Sequence, residues 1–499
     1  MPPCLRALGC DPQPALGASV VSLLLALTTF LYGQTHPTTA AAPASVIPRA
    51  SLLEMYQREL GSLYRPELAD GLYRAHELVE RYFAVPGERK RLLNEIEATG
   101  VDPNLLGRIT RLHMGWPALE GGVYYINERF GVHTVLYFLG VPRGYDRTRA
   151  WPLVIKLPAA HAFVTEPPPT ADQVVAIYSR WMREELAAHP DAVCIMPLLN
   201  LGEFWGPSYA GMNAAIQPML HVTGQVNIDP ARVYLVGHGM SAHAVWNLGL
   251  HYTTYFAAIN PLAGGAKADW QRLRLVNLRN VLPVVWHDAA DTAVDPESSR
   301  QLVKILRGFN YDVDYEETQG IGHVPPDQVV QRAYDKMLAR RRDLYPREVV
   351  VRSNRRDAMF NRIDWLQIYQ PTNPGKEVRN VLAHGSGHIM LCQHAFGLTG
   401  RLAGRNRIEI DAQNVDIFRI HLNDQMVDFS RAVNVIVNGR QRYEGMLRPS
   451  IEAMLSDQLF LGRGWRYFTG VIDIDLAPAS TRPATTFPAT RGRIEVIDR

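Results

Sequence analysis

Cysteine is scarce in this chain, four in 499 residues, and two of them, Cys4 and Cys10, precede the first apolar run. The other two, Cys194 and Cys392, are too far apart in sequence to form a disulfide framework, and Cys194 falls in an apolar stretch as a small core residue. Net charge is nearly absent as well. Lys plus Arg number 52 against 49 Asp plus Glu, a balance of +3, and no basic stripe stands out, so nothing argues for a nucleic-acid partner. No internal repeat is present. Histidines are concentrated in the middle of the chain (His161, His238, His243, His251, His287 and His323), but no H-x-x-x-H or H-E-x-x-H spacing occurs at the central glycine turn. Neither a metal nor another cofactor is therefore expected.

What is present is an ordinary globular composition, 47% apolar and 20% charged, on a chain long enough for two or three domains. Arg6, an apolar run from about Ala18 to Tyr32 and the small-residue site Ala42-Pro43-Ala44 read as a secretory signal over residues 1–46. The run is short for a membrane span, and the alternative is an uncleaved anchor, the one route to a membrane considered. The expected location is secreted, or periplasmic and cell-envelope. Residues 47–118 have helical spacing, as in Leu72, Ala75, Val79 and Tyr82. Over 119–346 short β-branched and aromatic runs alternate with helical patterns, which argues for a mostly parallel sheet covered by helices. Over 350–478 short strand patterns and the hairpin dipeptide Asn438-Gly439 suggest a β-sandwich-like domain. Residues 479–499 form a Pro/Thr-rich tail with a final strand pattern, Gly492 to Ile497. Gly387 to His394 reads as a buried strand.

One stretch organises the rest: Asp229-Pro230-Ala231-Arg232-Val233-Tyr234-Leu235-Val236-Gly237-His238-Gly239-Met240-Ser241. An apolar strand enters a glycine turn and a helix follows, the arrangement that presents a nucleophile at a sharp bend. The run resembles D-P-x-R-x-Y-L-x-G-x-S-M-G-G of the α/β-hydrolase superfamily, in its secreted esterase and prolyl-oligopeptidase-like branch. Two later segments resemble the same family. Pro283 to Pro296 follows P-V-x-x-H-G-x-x-D-x-x-V-P, with Asp288 in place of its glycine and Asp295 pushing the last proline back by one, and Gly320-Ile321-Gly322-His323 follows G-x-G-H.

The resemblance implies the α/β-hydrolase fold, with Asp291 as the acid, His323 as the base and the backbone N–H groups of Ala160 and Met240 as oxyanion donors. His161 and His238 would line the pocket, and an ester- or peptide-like small molecule is the expected ligand. At the nucleophile position, however, the chain has Gly239, which carries no side chain. Three readings follow. The domain is a pseudohydrolase that binds or scaffolds. Alternatively, the frame slips by two residues and Ser241 is the nucleophile of an active esterase or peptidase, although His243 then occupies a position that needs almost no side chain. In the third, His323 and Asp291 activate a water.

Overall fold

The computed structural model describes residues 46–158, 171–199, 209–381 and 388–477. The expected leader, Ala160, His161 and the expected C-terminal strand lie outside the described residues. Four helices open the described chain: α1 (Arg49–Leu60), α2 (Ala69–Ala84), α3 (Arg89–Ala98) and α4 (Pro103–Ile109). Asp102 starts α4 by accepting the amides of Asn104 at 2.7 Å and Leu105 at 3.1 Å. Pro103 sits at the first position, where its missing N–H goes unneeded.

Eight strands then build one sheet: β1 (Gly122–Phe130), β2 (His133–Val141), β3 (Trp151–Leu157), β4 (Val193–Pro197), β5 (Ile228–His238), β6 (Ala258–Leu262), β7 (Leu282–Asp288) and β8 (Asp314–Thr318). Their spatial order is β1-β2-β4-β3-β5-β6-β7-β8. The pairs β1–β2 and β2–β4 are antiparallel, and every pairing from β4 to β8 is parallel. The helices between them are α5 (Ala171–Ala188), α6 (Tyr209–Val222), α7 (Met240–His251), the short α8 (Asp269–Leu273), α9 (Glu297–Gly308) and α10 (Asp327–Ala339). Apolar side chains of α5 and α10 cover one face of the sheet, and those of α6, α7 and α9 cover the other. With both faces covered, β4 and β6 are buried at every residue, which explains why they read as continuous apolar runs rather than alternating ones.

The β-rich C-terminal region holds β9 (Glu348–Ser353), β10 (Arg362–Ile363), β11 (Leu366–Pro371), β12 (Glu377–Val381), β13 (His388–Cys392), β14 (Phe396–Leu402), β15 (Arg407–Gln413), β16 (Val415–Leu422), β17 (Val433–Val437), β18 (Arg440–Gly445) and β19 (Gly470–Asp475). They form a five-stranded sheet, β18-β17-β15-β14-β9, and a four-stranded one, β10-β11-β16-β19. Side chains of both sheets share one apolar core, and Gly400 leaves room for the Trp365 ring, which a Cβ there would meet at 2.6 Å. Asn438 and Gly439, with φ of 50° and 75°, make the tight turn between β17 and β18. Strand β13 pairs with β12 alone and exposes His388 and Met390, so the buried strand expected over 387–394 is half exposed.

One helix has no counterpart in the sequence reading. Helix α11 (Ile451–Leu461), capped by the Ser450 hydroxyl, packs its Ile451, Met454 and Leu455 into the core of α1–α4. The N-terminal helices are thus covered by a late segment of the chain.

The β-rich region is fastened to the segment around β6 of the eight-stranded sheet by a buried ion network. Both oxygens of Asp364 accept from Arg342, at 2.8 and 2.7 Å, and Arg466 lies 3.0 Å from the same carboxylate. Arg342 also donates to the Phe256 carbonyl at 2.9 Å, and the Asp364 amide donates to Thr254 Oγ1 at 2.8 Å. All three charged side chains are fully buried. Asp364→Ala leaves two buried guanidinium groups without their carboxylate, and the expected loss is about 3–5 kcal/mol of unfolding free energy in a urea titration.

Candidate active site

The site forms where β5 ends. Gly239 begins α7 at φ 59° and ψ −117°, a conformation that non-glycine residues adopt only under strain. The bend is held from both sides. The Gly239 amide donates to the Leu262 carbonyl at 2.9 Å, and its carbonyl accepts from Ala242 at 3.0 Å. Close packing of strand and helix requires small residues around it: a Cβ on Gly237 would meet the Ser241 carbonyl oxygen at 2.7 Å, and one on Gly264 would meet the Gly239 oxygen at 2.9 Å. The apex of the bend is residue 239. Ser241 lies in the first turn of α7, fully buried, and its hydroxyl donates to the Pro158 carbonyl at 2.7 Å. That bond commits its proton to the backbone after β3.

Asp291 and His323 lie on the loops after β7 and β8 and meet at the carboxyl edge of the sheet. His323 Nδ1 donates to Asp291 Oδ2 at 2.8 Å, which leaves Nε2 as the basic nitrogen. Asp291 is completely buried and is fixed further by the amides of Ala293 at 2.8 Å and Val294 at 3.0 Å on its other oxygen. Burial works to raise its pKa, but the His323 hydrogen bond and these two amides outweigh it and hold the carboxyl below the usual range.

A second imidazole stands behind the acid. His287 Nε2 faces Asp291 Oδ2 at 3.2 Å and the Val294 carbonyl at 3.0 Å. Two acceptors require Nε2 to carry the proton, so Nδ1 accepts from the Ser299 hydroxyl at 2.7 Å. The sequence reading gave neither His287 nor Ser299 a role in orienting the acid; only the spacing of His287 to Asp291 hinted at one.

The relation of base to apex is the most telling distance. A Cβ placed on Gly239 would lie 2.9 Å from His323 Nε2 and 3.5 Å from Cε1. The imidazole crowds the place where a side chain on residue 239 would begin. His238 packs its ring against His323, centroids 4.7 Å apart, and its Nε2 donates to the His323 carbonyl at 2.8 Å. Around the exposed edge of His323 the rim is apolar, with Met240 41%, Ile321 41% and Val324 68% exposed.

The other histidines disperse. His243 bonds to Gly265, and His251 is buried with Nδ1 donating to the Asn247 carbonyl. Among the described residues no group of three or more His, Cys, Asp or Glu side chains is placed to hold a metal ion. Cys194 and Cys392 are both buried and free, and burial raises both thiols above their ordinary pKa.

Gly239→Ala is expected to cost about 1–3 kcal/mol from backbone strain alone, with the contact against His323 added. In a His323→Ala background the cost should fall, because the crowding nitrogen is gone. A denaturant double-mutant cycle measures the difference, and an equal cost in both backgrounds would contradict the geometry. Asp291, ionised below its ordinary pKa, contributes stability that is complete above about pH 4 and is lost as pH falls through its folded value. Asp291→Asn should therefore flatten the acid limb of a stability–pH curve.

No family model matches the sequence, and no curated protein matches it. Solved structures do match part of it. A thermostable esterase aligns at 21% identity and a TM-score of 0.37 over 44% of this chain and 63% of its own, so this chain spans less than two thirds of that esterase. A ferulic acid esterase from Anaeromyces mucronatus, in complex with ferulic acid, aligns at 14% identity and a TM-score of 0.31, over 44% of this chain and 91% of that one. Esterase 2 of Thermogutta terrifontis, phosphonylated by cyclosarin, aligns at 13% and 0.32, over 44% and 92%. The sheet order with its antiparallel leading strands, the bend after β5, and an acid and a histidine carried after β7 and β8 give this chain the α/β-hydrolase fold.

Proposed function

We propose that the chain is a pseudohydrolase, an α/β-hydrolase-fold protein that binds or scaffolds and has given up acyl transfer through a serine. One observation carries this reading: the apex is glycine, and His323 Nε2 stands 2.9 Å from where its Cβ would be. Loss of a triad nucleophile removes about six decades of turnover, a deficit that orientation and binding do not recover. Ser241 offers no replacement, being buried with its hydroxyl committed to Pro158.

The ligand chemistry follows from what the mouth of the site offers. His323 Nε2 accepts a hydrogen bond, and Met240, Ile321 and Val324 offer apolar surface beside it. An ester- or peptide-like small molecule with an apolar body and an N–H or O–H donor fits that combination. The protein acts outside the cytoplasm, secreted or in the periplasm and envelope, a reading supported by the signal-like residues 1–46. A second reading rests on the intact dyad: Nε2 has no hydrogen-bond partner among the described residues, and with Nδ1 directed at Asp291 it is the nitrogen that would accept a proton from a water.

A fluorophosphonate probe should leave the native protein unlabelled, whereas Gly239→Ser should gain labelling at residue 239 that His323→Ala removes. Labelling of the native protein that disappears in Ser241→Ala would overturn the proposal. Native hydrolysis of p-nitrophenyl esters that His323→Ala abolishes, without any labelling, would establish the water reading instead.

A further inference from the structure

Asp288 departs from the glycine of the hydrolase pattern, and the structure gives that departure a use. It is the last residue of β7 and is fully buried. Its Oδ1 accepts from the amides of Ala290 at 2.8 Å and Gly322 at 3.0 Å. Its Oδ2 accepts from Thr318 Oγ1 at 2.7 Å and the Ile321 amide at 3.1 Å. Thr318 is aimed in turn by Trp286, whose Nε1 donates to the same hydroxyl at 3.2 Å. Two of the four donors are the amides immediately before His323, in a loop whose Gly320 and Gly322 take φ of 77° and 85°. A third, Ala290, immediately precedes Asp291. One buried carboxylate thus joins the loop of the base to the loop of the acid, and a glycine there has no atoms to do so. From the opposite side His238 holds the His323 carbonyl.

We propose that Asp288 is a positioning residue that sets the distance and orientation of His323 relative to Asp291 by gathering the Ile321 and Gly322 amides. The charge matters as well as the shape. A carboxylate presents acceptors to all four donors, whereas an asparagine must turn an NH2 group toward one pair of them. Hydrogen bonds to a buried carboxylate are about twice as strong as neutral ones, so the loss falls on the loop that carries the histidine. The inference is independent of whether residue 239 supports any reaction, because the geometry it explains is that of the dyad itself.

The test follows the two imidazole protons bound to Asp291 by NMR of the full chain with labelled histidine. His323 Nδ1–H and His287 Nε2–H are assigned by their loss in His323→Gln and His287→Gln. In Asp288→Asn, exchange of the His323 proton with water should accelerate about ten-fold or more, as expected for lost charge-assisted hydrogen bonds, while the His287 proton is unchanged. His287 is the internal control, since it approaches Asp291 from β7 and not from the clamped loop. Equal acceleration of both protons would reduce Asp288 to general packing, and no acceleration would remove any role for it; either result overturns the proposal. Should Asp288→Asn fail to fold, Thr318→Val removes a single donor, and the same comparison of the two protons decides.

Discussion

The contact that the rest of the hydrolase domain depends on is the close approach of β5 to α7. Strand and helix meet without room for a methyl group at Gly237, the segment after β6 presses on the same turn at Gly264, and the chain passes between strand and helix through φ 59° at Gly239. In a serine hydrolase, strain of this kind is tolerated because it lifts a nucleophile out of the sheet. Here the same bend is made by the residue that adopts it at least cost. The apex of the bend carries only a hydrogen atom, facing the His323 ring.

Around that bend the acid and the imidazoles are held tightly rather than loosely. Asp291 has a partner for each oxygen, His323 is restrained at its ring, its carbonyl and the two amides before it, and His287 fixes the acid from behind. Asp291 and His287 are buried with their hydrogen bonds satisfied, which is what makes such a cluster rigid, and only Nε2 of the part-exposed His323 is left open. Among the described residues, Met240, Ile321 and Val324 beside it are exposed.

How much of this could be read beforehand depended on how local the signal was. The parallel sheet was legible because strands covered on both faces become uninterrupted apolar runs, as in Val193–Pro197. The pairing of Asp291 with His323 was reachable only through resemblance, since the two are brought together by β7 and β8 lying side by side. Asp288 was visible as an exception, but its partners come from a loop about thirty residues on, and no spacing rule marks them. Helix α11 escaped for the opposite reason. Packed between the N-terminal helices and the β-rich region, it is apolar on most sides and shows little helical periodicity.

That helix bears on how the molecule is made. Helices α1 to α4 are built before the eight-stranded sheet, yet Ile451, Met454, Leu455 and Tyr467, which complete their core, come after both that sheet and most of the β-rich region. During synthesis the early helices must wait through the whole eight-stranded sheet for their cover, with Leu72, Tyr82 and their neighbours short of apolar partners. Closure over such a separation is slow and leaves sticky surface exposed meanwhile. A ribosome that stalls before residue 451 would release the eight-stranded sheet complete but the N-terminal helices uncovered, so the quality of this protein in a cell would depend on a segment translated long after the sheet that holds its site.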